Sequence, residues 1–221
     1  MRTKDLLRYD QTLFRDREVF EFSYVPEQLH HRDAQLRELA ELVRGCVHGG
    51  RPRSAILRGP PGTGKTTTVR RLFAELGEAT RRVVPVYVNC QHDRTQYAVF
   101  SCVFEELAGY APPSTGKHLN DLARGVVKML EAREAALLVC LDDANYLHEE
   151  RRLNNLLYRL LRFYEKWDAR RTGVFAVSSD MGLDLCAAVD QRVRSVFHPI
   201  EVRFPPYSRE EIRQILSDRV R

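Results

Sequence analysis

Residues Gly59-Pro-Pro-Gly-Thr-Gly-Lys-Thr66 satisfy the pattern G-x-x-x-x-G-K-[ST], which constrains the fold more than any other feature of the chain. Such a loop needs a buried strand before it and a helix after it. Ala55, Ile56 and Leu57 are a short apolar run, as a buried parallel strand requires. After Lys65, the apolar residues Val69, Leu72, Phe73 and Leu76 recur at helical spacing. Gly59, Gly62 and Gly64 let main-chain N–H groups approach a phosphate. The helix start adds unpaired donors and a partial positive charge. A chance glycine turn is the competing explanation, and the lysine, the threonine and the flanking elements weigh against it.

The second informative stretch is Ala135-Ala-Leu-Leu-Val-Cys-Leu-Asp-Asp143. An apolar run ending in two acids reads as a buried parallel strand with carboxylates at its C-terminal end, where α/β sheets hold ligands. Two aspartates after a strand also serve as helix caps. Coupled to the phosphate loop, they read as a metal site on the adjoining strand. Lys65 then reaches the β- and γ-phosphates, and Thr66 ligates Mg²⁺. Asp142 holds the ion through its water shell, and Asp143 orients the attacking water.

The fold class that follows is α/β, a central parallel sheet flanked by helices. A helix is expected over Arg32 to Val47 and a strand over Arg82 to Cys90, where Pro85 argues for an edge or a bulge. Two helical patterns follow in 93–133, then a helix with Leu153, Leu156, Leu157, Leu160 and Leu161 on one face. Arg151, Arg152, Arg159 and Arg162 lie off that stripe, and Trp167 is expected to pack on it. Gly173 to Asp180 and Val196 to Phe204 read as further strands. Ser208 and Glu211 have capping-box spacing before a last helix. Residues 1–31 show no clean period and read as an arm that docks on the nucleotide site or covers the core.

Residues 51–82 carry eight basic residues against Glu75 and Glu78 within a chain of net charge +5. A local excess of this kind suits a nucleotide or a nucleic acid, or is a solvated arginine-rich surface. The longest apolar run is far short of a membrane span, and no signal-peptide core follows Met1. A cytoplasmic protein without a membrane partner is expected. The five cysteines are odd in number and lack C-x-x-C spacing, so buried reduced thiols are expected.

The ordered string Tyr24–Leu36, Gly59–Thr66, Leu141–Asp143, Ser178–Asp180, Asp190–Ser195 and Phe204–Tyr207 resembles AAA+ replication initiators of the archaeal origin-recognition, or cell-division-cycle, type. The resemblance covers about residues 16–221. It implies a P-loop ATPase that takes ATP/ADP and Mg²⁺, binds double-stranded origin DNA, supports loading of the replicative helicase, and self-associates through the ATP site. It implies sensor 1 at Ser179, an arginine finger at Arg192 with Arg194 as second choice, and Val25 and Pro26 near the adenine. Gly62, Thr63, Gly64, Lys65, Thr66 and Thr67 surround the phosphates, while Tyr207 and Arg219 match nucleotide contacts. The helices within 93–133 match an extra element that touches DNA. The implied domains are an arm over 1–31, a core over 32–205 and the start of a helical lid over 206–221.

The chain departs from the family pattern at Asp143, where glutamate is usual, and at Ser179, where asparagine is usual. A shorter acid and a lost amide donor imply slow hydrolysis. The remainder of the lid and the winged helix of such initiators have no counterpart in the 221 residues. A nucleotide-gated scaffold with weak ATPase activity, or a P-loop ATPase of mobile-element maintenance or defence, are the alternatives.

Overall fold

A computed structural model of the chain describes residues 21, 24–26, 29–113, 118–147, 152–162 and 171–220, the side chains of 219 and 220 excepted. Phe14, Val19, Phe20, Phe22, Arg151, Trp167 and the Arg219 side chain lie outside the described residues.

Strands β1 (Ala55–Arg58), β2 (Val83–Asn89), β3 (Ala136–Asp142), β4 (Thr172–Ser178) and β5 (Ile200–Arg203) form one sheet of order β2-β3-β4-β1-β5. Every pairing is parallel. All five C-terminal ends therefore share one rim, and the residues after them meet there. The helices are α1 (Asp33–Arg44), α2 (Lys65–Ala79), α3 (Gln96–Ala108), α4 (Leu119–Ala132), α5 (Arg152–Leu161), α6 (Leu185–Ala188), α7 (Gln191–Arg194) and α8 (Arg209–Val220).

Strand alternation sends the apolar runs to both faces. Leu137, Val139 and Leu141 of β3 pack with Ile56, Val174 and the apolar stripes of α3, α4 and α5. Leu138 and Cys140 of the same strand pack with Leu57, Phe175 and the inner faces of α1 and α2. β3 and β4 are buried at every position, because each has a strand on both sides and helices on both faces. β2 pairs only with β3, so Pro85 sits on an edge, where its missing N–H costs little.

Three expectations need correction. β4 lies between β1 and β3, so the phosphate-loop strand and the acid-bearing strand do not adjoin. The strand expected over Val196–Phe204 is confined to Ile200–Arg203. The N–H groups of Ser195, Val196 and Phe197 turn back to carbonyls of Gln191 and Val193, and Pro199 has none to give. All five cysteines are free, but only Cys46, Cys90 and Cys140 are buried, with Cys102 intermediate and Cys186 exposed. Burial pushes the Cys46 and Cys102 thiols up to about 11.

The basic stretch 51–82 does not form one patch. Arg51 and Arg53 precede β1, and Arg81 and Arg82 precede β2, so these exposed side chains lie at the rim opposite the phosphate loop. Arg70 instead lies over the Tyr87 ring, and Arg71 pairs with Glu75. No described helix is long and apolar enough to cross a membrane.

Candidate functional site

The loop between β1 and α2 is shaped by two left-handed glycines, Gly62 at φ 75° and Gly64 at φ 83°. Gly59 answers to a different constraint. A Cβ there would lie 2.2 Å from the carbonyl oxygen of Phe204 at the end of β5. Among the described residues no side chain caps α2, whose N-cap is Gly64, so its first-turn N–H groups are open to an anion.

Lys65 is only 4% exposed. Its ammonium donates to the carbonyl oxygens of Gly59 at 2.7 Å and Pro60 at 2.8 Å, across the mouth of its own loop. Burial lowers its pKa below the usual lysine value, while Asp142 and Asp143 push it back up. The ammonium and both acids therefore occupy the same rim.

Thr66 closes the gap that β4 opens. Its hydroxyl donates to Asp142 Oδ2 at 2.8 Å. The same oxygen accepts the Tyr87 hydroxyl at 2.6 Å, and Asp142 Oδ1 accepts the Asp143 N–H at 3.1 Å. Asp143 follows with φ 54°, and its Oδ2 accepts from Gln91 Nε2 at 2.6 Å. A threonine hydroxyl and a carboxylate at the open end of a helix are an oxygen donor set suited to a hard divalent cation beside a phosphate.

A cavity of about 1080 Å³ opens beside the loop. Tyr24, Val25 and Pro26 line one wall, Gly62 to Gly64 and Thr67 the floor, and Tyr207 with Ile212 and Ile215 the other wall. The arm residues and Tyr207 are thus brought to the loop. His30 lies 3.2 Å from Asp218 and His31 3.7 Å from Glu211, joining the segment before α1 to α8. The capping box forms reciprocally: Ser208 N–H donates to Glu211 Oε2 at 2.7 Å, and Glu211 N–H to Ser208 Oγ at 3.2 Å. The bond from the Ser208 N–H holds the Glu211 carboxyl below its usual pKa.

Arg32, Tyr87 and Gln91 escaped the sequence reading. Arg32 is buried, and its guanidinium donates to the carbonyls of Thr63 at 2.8 Å, His31 at 2.9 Å and Pro205 at 2.6 Å. It also stacks 3.8 Å from the Tyr207 ring centroid. One side chain so ties together α1, the phosphate loop and the turn into α8. The signal for Gln91 was its place just past the C-terminal end of a strand. Arg32 carried no comparable signal.

Ser179 follows β4 at the same rim and is half-buried. Arg192 is 73% exposed on α7 and pairs with Asp190 at 3.1 Å, so it is not brought to the loop of its own chain. Arg194 is also exposed, but its guanidinium is held on its own chain, donating to the carbonyls of Val189 at 2.9 Å and Ala187 at 2.7 Å.

Residues 28–166 match the family model described as AAA ATPase domain. The chain is 48% identical over 215 residues to the ORC1-type DNA replication protein 6 of Halobacterium salinarum, covering 97% of this chain and 57% of that one. The structure of the Aeropyrum pernix ORC1 protein in complex with DNA superposes with a TM-score of 0.78 at 32% identity, over 93% of this chain and 53% of that one. The Aeropyrum pernix ORC2 protein in its ADPNP–ADP complexes gives 0.80 at 27% identity, over 94% and 56%. The chain thus spans little more than half the length of these relatives. With the match over residues 28–166 and a parallel sheet that sets the loop, Thr66 and both acids on one rim, the chain belongs to the AAA ATPase domain family, among relatives that are ORC1-type DNA replication proteins.

Proposed function

We propose that this chain is the ATP-binding and hydrolysing part of a DNA replication initiator that binds origin DNA and supports helicase loading. The observation that carries the reading is the contact between Thr66, on the phosphate loop, and Asp142, with Asp143 beside it. Lys65 and the open N–H groups of α2 hold the β- and γ-phosphates, replacing the carbonyl contacts that Lys65 makes with Gly59 and Pro60. Thr66 and Asp142 are the residues that would hold Mg²⁺. The ion, when bound, offsets phosphate charge and polarises the terminal phosphate. Asp143 orients the attacking water and accepts its proton, and Ser179 stands as sensor at the end of β4. Val25 and Pro26 with Tyr207 enclose the base, with Arg219 as a further nucleotide contact.

The arm before α1, the core and the start of a lid at 206–221 are the parts of this unit. Arg192 is exposed enough to serve a neighbouring molecule's nucleotide, whereas Arg194 is committed to its own chain. Self-association through the ATP site follows from that reading. The relative seen in complex with DNA supports duplex binding; α3 and α4, at the place of the family's extra helical element, are the proposed contact to it. Such an initiator works beside the chromosome, in the cytoplasm.

One observation favours slow turnover and a switch-like use of ATP. Gln91 holds the carboxylate of Asp143, a side chain already one methylene shorter than glutamate. The test is a duplex-DNA titration with ATP and with ADP at fixed, stated salt, run beside phosphate release. Tighter DNA binding with ATP and measurable release support the initiator. A long-lived ATP complex without DNA-stimulated release supports the scaffold, and no nucleotide binding overturns both.

A further inference from the structure

We propose that Tyr87 is a positioning residue for Asp142 and sets how tightly the site takes up Mg²⁺; the inference rests on the reading of Asp142 as the metal-side carboxylate. Tyr87 lies on β2, opposite Cys140 of β3, while Asn89 lies opposite Asp142. With side chains alternating along each strand, Tyr87 faces the same side as Asp142, one diagonal step away. Its hydroxyl closes that step with a 2.6 Å bond to Oδ2, within the range of a charge-assisted O–H···O⁻ contact.

The carboxylate is thereby held at both oxygens: Tyr87 and Thr66 donate to Oδ2, and the Asp143 N–H donates to Oδ1. A cation held beside Thr66 would draw on that hydroxyl's lone pair and leave its O–H free to donate to Oδ2. Tyr87 and the Asp143 N–H would be the two further donors that fix the carboxylate plane. The ring itself is pinned, because the Arg70 guanidinium of α2 lies 4.5 Å from its centroid. Partners that orient a metal-side ligand typically change metal affinity by about 10–100-fold when removed.

Tyr87→Phe keeps the ring and removes only the donor. ADP binding to the 221-residue chain is measured by titration calorimetry in EDTA and across a Mg²⁺ series. The expected result is EDTA affinity within about twofold of the parent and a Mg²⁺ half-saturation raised about 10–100-fold. A residue that merely supports the fold would move both quantities together with the melting temperature. In an Asp142→Asn background, adding Tyr87→Phe should change little, because the coupling partner is gone. A Mg²⁺ half-saturation within twofold of the parent, or an equal shift in the Asp142→Asn background, overturns the proposal. If the parent's ADP affinity ignores Mg²⁺ altogether, the reading of Asp142 fails first and this inference with it. Should Tyr87→Phe not fold, Arg70→Met keeps the Tyr87 hydroxyl while removing the guanidinium that lies over its ring and reaches its oxygen; a several-fold rise in half-saturation supports the proposal and none overturns it.

Discussion

The Thr66 hydroxyl meets the Asp142 carboxylate at 2.8 Å although 76 positions separate them in the chain. A strand lies between their parent strands, so the bond depends on the first turn of α2 reaching over the end of β4. Thr66→Val keeps the shape and deletes the hydroxyl. It should lower ADP affinity about 10-fold or more in Mg²⁺, where the hydroxyl would be one of the ion's ligands, and hardly at all in EDTA. Calorimetry in the two buffers checks it.

Lys65→Ala should abolish ATP binding, because the loop loses its one ammonium group. The pH dependence carries a definite sign. Burial depresses the Lys65 pKa, so its charge is lost below the usual value of 10.5 and nucleotide affinity falls as pH rises through that window. Fold stability moves the opposite way: the cost of burying the charged form is present at lower pH and is relieved between the depressed value and 10.5. Affinity of the parent measured from about pH 7 to about pH 10 should show the alkaline decline.

Asp143→Asn should spare ATP binding and stop phosphate release, since the amide still fills the space but takes up no proton. Unchanged release would refute the catalytic assignment. Gln91→Ala, which frees the Asp143 carboxylate from a 2.6 Å contact, should alter release without altering ADP affinity. Single-turnover phosphate release separates the two effects.

Arg32→Met should destabilise the fold by about 2–4 kcal/mol, because it strips the partner from three main-chain carbonyls. Denaturant melting reads the loss. Gly59→Ala should be as damaging for another reason, a methyl group driven to 2.2 Å from the Phe204 carbonyl.

The sequence carried the loop, both acids and the α/β class, because each is a local pattern whose chemistry needs neighbours in the chain. Pro85 even marked its strand as an edge, since a missing N–H can be tolerated there. Strand order was not legible: nothing local to Ala55–Arg58 or Ala136–Asp142 says that Thr172–Ser178 runs between them. Tyr87 was hidden for the same reason, its role depending on the register that sets it opposite Cys140. Arg32 looked like one charge among many, and only the fold brings Thr63 and Pro205 to it.

Asp143 sits in left-handed backbone at φ 54°, a region that aspartate and asparagine visit several times more readily than longer side chains do. Changing it to glutamate would extend the acid's reach by a methylene while asking this tight corner to hold a less tolerant residue. On the proposed role of Asp143, reach toward the water and conformational ease therefore pull against each other at a single codon, and a laboratory search for faster variants would have to relax Ala144 and the turn behind it before the longer acid could help.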